Sequence, residues 1–362
     1  MKIAYLKIYP NRIIQNICKI NKIMEKHQKE WTLVTKVLGG HKKTLEEVLQ
    51  SDEILNTHSI GDSRVSNLKI IKNIRDELVT MYLKPPAKSY IKNVVNYADI
   101  SLNTDYTTIL SLNKEAKRKD KIHKIIIMIE MGELREGVVR EKFLDFYEKV
   151  FDLSNIEVIG LGTNLGCMYG IEPTYDKLIQ LSLYEQLIEM RFQRDIQLVS
   201  GGSSITLPLL SKGKLPRQVN HLRIGEAVFL GTTPLTNKKF DRLSTNSFEF
   251  LGNIVELEKK DTIPDGVVGE GNVGHAVNFD EAQELKEEYK ALIDFGAVDV
   301  DTENIKPKDN SVKFLGTTSD LTVYSLSKNI KQYESRRTMN FQPNYMAVAQ
   351  LMNSRYITKK VS

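Results

Sequence analysis

What most constrains this chain is a regular beat through its first two-thirds. Short apolar runs recur at Leu33–Val37, His58–Ile60, Leu78–Leu83, Ala98–Leu102, Ile125–Met131, Ile156–Gly162, Ile196–Val199 and Leu222–Gly225. Several are apolar at consecutive rather than alternate positions, the pattern of strands buried on both faces of a parallel sheet. Amphipathic stretches separate them. Ser66–Leu78 puts Leu68, Ile71, Ile74 and Leu78 on one helical face. Thr104–Arg118 opens on a polar residue suited to an N-cap, and Pro173–Phe192 opens near a proline and then repeats leucine and isoleucine. Eight strand candidates alternating with helices predict an α/β fold, a (β/α)8 barrel. A doubly wound open sheet is the competing arrangement.

The beat stops after Gly231. Strand-like runs at Phe248–Leu257, Lys290–Phe295, Val312–Leu315 and Leu321–Leu326 follow, divided by Gly- and Pro-bearing turns. The expected organisation is therefore a barrel over residues 1–231 and a mainly β domain over 232–362. A chain of 362 residues suits one barrel with such an appendage.

Charge argues against nucleic acid as a partner. The 51 basic and 46 acidic residues nearly cancel, and the basic runs Lys117–Lys121 and Lys359–Lys360 are too short for the patch such readers carry. No apolar run approaches the roughly 18 residues of a membrane span. Asn11, Arg12 and Gln15 interrupt any apolar signal core after Lys2 and Lys7. Cys18 and Cys167 have no metal-ligand spacing, so the expectation is a reduced, cytoplasmic protein without a metal.

Three segments carry chemistry. Lys36 follows Thr32–Thr35 near the carboxyl end of the first barrel strand, the face where barrel enzymes place their active sites. An amine among apolar neighbours is a better Schiff-base nucleophile, although a lysine at a strand end more often simply reaches into water. Ser200–Gly201–Gly202–Ser203–Ser204 follows the seventh strand, where glycines let the backbone approach an anion. Leu222–Arg223–Ile224–Gly225–Glu226 lies at the eighth. Phosphate sites in barrels are commonly built after strands seven and eight, so together these segments point to a phosphate-bearing ligand. Gly132–Gly137 adds Glu133, Arg135 and Glu136 to the same rim, or is a solvated loop. His27, His123 and His221 lie in charged or loop contexts with no partner at metal-ligand spacing, and are read as surface or satisfied histidines.

The Lys36 strand, Ile127–Gly137 (IMIEMGELREG), Gly160–Leu165 (GLGTNL), Val199–Ser204 (VSGGSS) and Leu222–Gly231 (LRIGEAVFLG) occur in the order seen in fold-type III pyridoxal-phosphate enzymes. The chain resembles the alanine racemase superfamily, most closely its ornithine-racemase-like branch. Gly61–Arg64 (GDSR) and Tyr97–Asn103 (YADISLN) strengthen the match, and Phe295–Asp301, Leu315–Asp320 and Tyr345–Tyr356 extend it. The resemblance implies a homodimeric, pyridoxal-phosphate-dependent racemase acting on a free amino acid, and its ornithine-like branch suggests a basic one such as ornithine, with the C-terminal domain contributing to the dimer and the active site. Lys36 matches the lysine that holds the cofactor covalently and moves a proton on one face of the substrate carbon. Ser203, Ser204 and the backbone at Gly225 and Glu226 match the phosphate cradle. Arg223 matches the residue facing the pyridine nitrogen, Arg135 one near the phenolic oxygen, and Tyr345 one that reaches the phosphate. Asn164 stands where alanine racemases stack a histidine on the ring.

The departures are specific. Gly40 stands where alanine racemases carry a tyrosine. No segment matches their second catalytic base, a tyrosine from the other subunit. Leu321 follows Ser319–Asp320 where relatives in the ornithine-like group have a histidine. His275, within the divergent Gly266–Phe279 stretch, is the candidate replacement base. The missing base also admits a cofactor-binding protein without racemase activity, and the scaffold admits a decarboxylase or lyase. Glu133 or Glu136 is the expected partner of a basic substrate's distal amine.

Overall fold

In the computed structural model, which describes residues 4–236, 238–267, 274–276 and 287–362, the chain divides into two compact units. One comprises residues 11–245 and the other residues 1–10 with 246–362. The first is a closed barrel of eight parallel strands. After β1 (Tyr5–Ile8), which belongs to the other unit, these are β2 (Glu30–Val34), β3 (Ser59–Asp62), β4 (Thr80–Tyr82), β5 (Ile100–Asn103), β6 (His123–Met128), β7 (Ile156–Gly162), β8 (Leu198–Ser203) and β9 (His221–Ile224). Closure comes from β2 pairing with β9, Thr32 opposite Arg223, so the sheet is not open.

Each barrel strand lies within or beside an apolar run, because a strand covered on both sides must be apolar on both. Alternation still sorts the faces. Ile125 and Ile127 pack outward in a cluster with Val150, Leu178 and Leu181 of the helices, whereas Ile126 and Met128 join Met81, Ile100 and Leu198 in the lumen. Capping fixes the helix starts. Asp105, not Thr104, caps Tyr106–Arg118 by accepting from Thr108 N–H, and Thr174 caps Tyr175–Phe192 by accepting from Lys177 N–H.

The observed division differs from the one expected at residue 231. Residues 232–245 stay with the barrel: the Asn16 amide donates to the carbonyls of Val228 and Ser244, each at 2.9 Å, and its oxygen accepts from Ser244 N–H at 2.7 Å. Residues 1–10 go to the other unit because β1 is a strand of its sheet.

In that second unit the described strands are β10 (Phe248–Asp261), β11 (His275–Ala276), β12 (Glu287–Ile293), β13 (Ile305–Pro307), β14 (Lys313–Thr317), β15 (Thr322–Ser325), β16 (Thr338–Pro343) and β17 (Thr358–Val361). With β1 they form one sheet in the order β11-β14-β15-β12-β10-β1-β17, and β16 pairs with both β10 and β13. Phe250, Phe295, Phe341 and Tyr324 make its aromatic core, with ring centroids 4.8–5.9 Å apart. The mainly β character holds, and among the described residues one α-helix, Tyr345–Asn353, capped by Asn344, is added to the strands. No helix among the described residues is long and apolar enough to cross a membrane.

Candidate active site

The carboxyl ends of the parallel strands gather Lys36, Arg135, Asn164, Ser203, Ser204, Gly225 and Glu226 at one mouth of the barrel, with Arg223 on β9 beneath them. Lys36 is two residues beyond β2, in a single 3-10 turn over Lys36–Leu38 rather than in the strand itself. Val37 and Leu38 anchor the turn by burial, while Lys36 is exposed. The turn is held from the residue before it, since the Thr35 hydroxyl donates to the Asp62 carboxylate at 3.0 Å. Asp62, 1% exposed, also accepts from Arg64 N–H at 2.9 Å and the Asn67 amide at 3.1 Å. Burial pushes its carboxyl above the usual range, and these donors oppose that shift. The GDSR string marked the place, but nothing in it showed that its aspartate braces the Lys36 turn.

Gly40 has φ +76°, and a Cβ there would lie 2.5 Å from Asn67 Oδ1. The space of a side chain at this position is thus taken by the amide that braces Asp62.

The β6, β7 and β9 ends are wired together. Arg135 donates to the Glu136 carboxylate, and so does the Asn164 amide. The Asn164 oxygen accepts from Arg223 Nη2 at 2.5 Å, and the same nitrogen donates to the Thr163 carbonyl at 2.7 Å. Arg223 Nη1 donates to Ser200 Oγ. Burial pulls the Arg223 guanidinium down to about 10, against the attraction of Glu136. Burial works against ionisation of Glu136 too, but the hydrogen bond from Arg135 and the charge beside it prevail and hold its carboxyl below the usual range. The Thr163 hydroxyl is buried with no partner among the described residues.

Neither acid is available in the way the sequence suggested. Glu136 is shared between Arg135 and Asn164. Glu133, 2% exposed, accepts from the N–H groups of Gly166, Cys167, Met168, Tyr169 and Ile171 at 2.7–3.2 Å. Burial raises its carboxyl, those N–H groups more than offset it, and the net shift is downward. Glu133 is the organiser of the 166–171 loop.

At the remaining strand ends, β8 runs through the glycines, so Ser200–Ser203 is strand rather than turn. Ser200 pairs with His221 but Ser203 with Arg223, an extra residue in β8 that makes a bulge. Gly202 takes φ +117° there, and a Cβ would lie 2.5 Å from Thr206 Oγ1. Ser204 Oγ accepts from the N–H groups of Gly225 at 3.3 Å and Ala227 at 3.1 Å, tying β8 to the short helix Glu226–Leu230. The Ser203 hydroxyl has no hydrogen-bond partner among the described residues. Glu226 turns its carboxylate to the Thr232 hydroxyl at 3.0 Å, leaving its backbone to the mouth.

His123 and His221 open β6 and β9 and are buried, not in loops. Both are satisfied, His123 by Ser101 and His221 by Ser200 and Thr32. Tyr345 and His275 belong to the second unit. Tyr345 is the first residue of Tyr345–Asn353, and His275 is exposed on β11, opposite Thr317. Of the surrounding Gly266–Phe279 stretch, residues 268–273 and 277–279 lie outside the described residues.

Residues 8–233 match the family model of the alanine racemase N-terminal domain. The chain is 31% identical over 352 residues to the ornithine racemase of Acetoanaerobium sticklandii, covering 97% of each protein. It is 28% identical over 358 residues to the lysine racemase of Thermotoga maritima, covering 97% of this chain and 98% of the relative. Among solved structures, the alanine racemase of Bartonella henselae with covalently bound pyridoxal phosphate superposes with a TM-score of 0.71 at 14% identity over 100% of both chains. That likeness shows the fold.

Proposed function

The chain belongs to the alanine racemase family and is an amino-acid racemase, and we propose that it inverts the α-carbon of a basic amino acid, ornithine or lysine, with pyridoxal 5′-phosphate held at Lys36. The observation that carries the cofactor reading is a mouth with the exposed Lys36 side chain beyond one strand end, a buried guanidinium on another strand and a cradle of backbone and hydroxyl groups between them. The cradle is the Ser203 hydroxyl without a protein partner, the first-turn N–H of Glu226, which has no intrahelical acceptor, and glycines at 202 and 225 where a side chain is crowded. These groups fit a phosphate. When bound, the cofactor would be held by Lys36 at its aldehyde, by Ser203, Ser204 and the backbone at Gly225 and Glu226 at its phosphate, and by Arg223 at its ring nitrogen, with Asn164 and Arg135 completing the mouth around it.

When bound, the cofactor withdraws electrons from the substrate's α-carbon and acidifies its hydrogen. Lys36 Nζ takes or returns that proton on one face. Arg223 stays cationic, because its pKa of about 10 is still well above neutrality, and a cation there would keep the ring nitrogen of a bound cofactor from protonating. Inversion requires a second group for the other face. We propose His275, exposed on β11 opposite Thr317 of β14, for that proton.

The test is direct. The purified chain, supplied with the cofactor, is incubated in deuterated water with L-ornithine, L-lysine and L-alanine, and the products are resolved by chiral chromatography and mass. Deuterated D-ornithine or D-lysine should form faster than D-alanine. Preference for alanine overturns the substrate class, and absence of any D product overturns the racemase reading.

A further inference from the structure

Below Arg223 the barrel lumen holds a column of polar side chains that the racemase reading does not use. Ser200 Oγ, which accepts from Arg223 Nη1, is 2.8 Å from His221 Nδ1. His221 Nε2 is 2.9 Å from Thr32 Oγ1, and Thr32 Oγ1 is 2.7 Å from Ser59 Oγ. Ser59 Oγ lies 3.2 Å from His58 Nδ1, and His58 Nε2 faces the Glu30 carboxylate at 3.9 Å. Every member from Arg223 to Ser59 is buried, whereas the Glu30 side chain is 60% exposed. Glu30 begins β2 and Lys36 follows its end, so the column runs from the mouth to water at the barrel's opposite floor.

Donor and acceptor capacity fixes its direction. A guanidinium only donates, so Ser200 Oγ must accept from Arg223, and its single proton is left for His221. His221 Nδ1 therefore accepts. A neutral imidazole that accepts at Nδ1 carries its proton on Nε2 and donates it to Thr32. The Thr32 proton goes to Ser59, because its other neighbour, the Met81 sulfur at 3.8 Å, is a weak acceptor. Ser59 then donates to His58 Nδ1, and His58 directs Nε2–H toward Glu30. Neutrality of His221 follows from its surroundings: burial, then His58, then Arg223 all disfavour its charged form.

We propose that this one-way column sets Arg223, with His221, protonated on Nε2, as the positioning residue that makes Ser200 an obligatory acceptor. The cofactor role of Arg223 rests on the function proposed above; the direction of the column does not. Both terminal nitrogens of Arg223 are engaged, by Ser200 on one side and by Thr163 and Asn164 on the other. Of the Arg223 N–H groups only Nε–H has no acceptor among the described residues, and that is the donor the column would leave for the ring nitrogen of a bound cofactor.

Two measurements test it. In cofactor-free protein carrying 15N-histidine, the His221 resonances, assigned by their loss in His221→Gln, should report a bare Nδ1 and a protonated Nε2. A proton on Nδ1, or on both nitrogens, overturns the proposal whatever the protein binds. In the loaded protein, His221→Leu, which keeps neither donor nor acceptor, should shift the cofactor absorbance band and lower kcat by about 10- to 100-fold with little change in KM. His221→Gln, which keeps both capacities, should restore much of the loss. A folded His221→Leu with unchanged band and kcat overturns the positioning role, and if that variant does not fold, Ser200→Ala is read in the same way. A wild-type chain that takes up no cofactor overturns the functional reading itself, with the tautomer result still deciding the column.

Discussion

Two walls of the same lumen solve burial in opposite ways. On the side of β4 to β8, Met81, Ile100, Ile126, Met128, Ile159 and Leu198 form a cluster no more than 4% exposed. Its attraction is non-directional and scales with the area removed from water. On the side of β9, β2 and β3, Arg223, His221, Thr32 and Ser59 fill equivalent space with atoms that gain nothing from burial unless each finds a partner. β8 serves both, giving Leu198 to one and Ser200 to the other. The apolar wall should accept exchanges that keep volume, whereas the polar wall should accept only those that keep donors and acceptors.

Several substitutions would sharpen or break this contrast. The largest effect belongs to Lys36, which continues from the polar wall into the mouth. Lys36→Ala should lower kcat by at least about 10⁴-fold while leaving the circular dichroism spectrum unchanged. A chiral assay showing a loss of less than about 100-fold breaks its assignment as proton carrier. Next comes the apolar wall, where Ile126→Ala should cost about 2–5 kcal/mol in urea unfolding and Ile126→Val only about 0.5–1.5 kcal/mol. On the polar wall the near-isosteric Thr32→Val should cost about 1–3 kcal/mol, because His221 and Ser59 each lose a partner at nearly constant volume. If Thr32→Val proves neutral, the two walls obey one rule and the contrast fails.

Acid provides a finer comparison. Glu133 and Glu136 both have folded values below their ordinary ones. Their stabilisation is therefore complete above the unfolded carboxylate pKa, about 4.3, and is lost as pH falls through the lower folded values. Thermal melts should decline more steeply below about pH 4.3 in the wild type than in Glu133→Gln. Parallel declines would show that Glu133 is not the organiser of its loop. The smallest effect is expected on an outer helix of the barrel unit, where Glu115 pairs with Arg118, whose side chain is 60% exposed. Glu115→Gln should change stability by less than about 0.5 kcal/mol.

How much of this was legible varies with how local each cause is. The eight barrel strands could be read because burial on both faces forces apolar runs, and their ends shifted by a few residues because the turns that stop them are set elsewhere. Lys36 left its predicted strand for a turn braced by Asp62. β1 could not be read at all: Tyr5–Ile8 is a strand because it pairs with residues 248–251 and 358–361, far along the chain. Glu133 looked like a rim acid for a substrate amine, since nothing near it in sequence announces the five N–H groups of the 166–171 loop. His221 read as a surface or satisfied histidine, and nothing near it in sequence named Ser200 and Thr32 as the groups that satisfy it.

The sequence by itself determined the alternation of strand and helix, the mainly β character of the second unit and the identity of the residues at the strand ends, because periodicity and chain order are properties of neighbours along the chain. Only the tertiary structure decided which of those residues share a proton. Barrel closure sets Thr32 beside Arg223 and Ser59, and Ser200 beside His221, and hydrogen bonds depend on ångström-scale position in space rather than on separation in sequence.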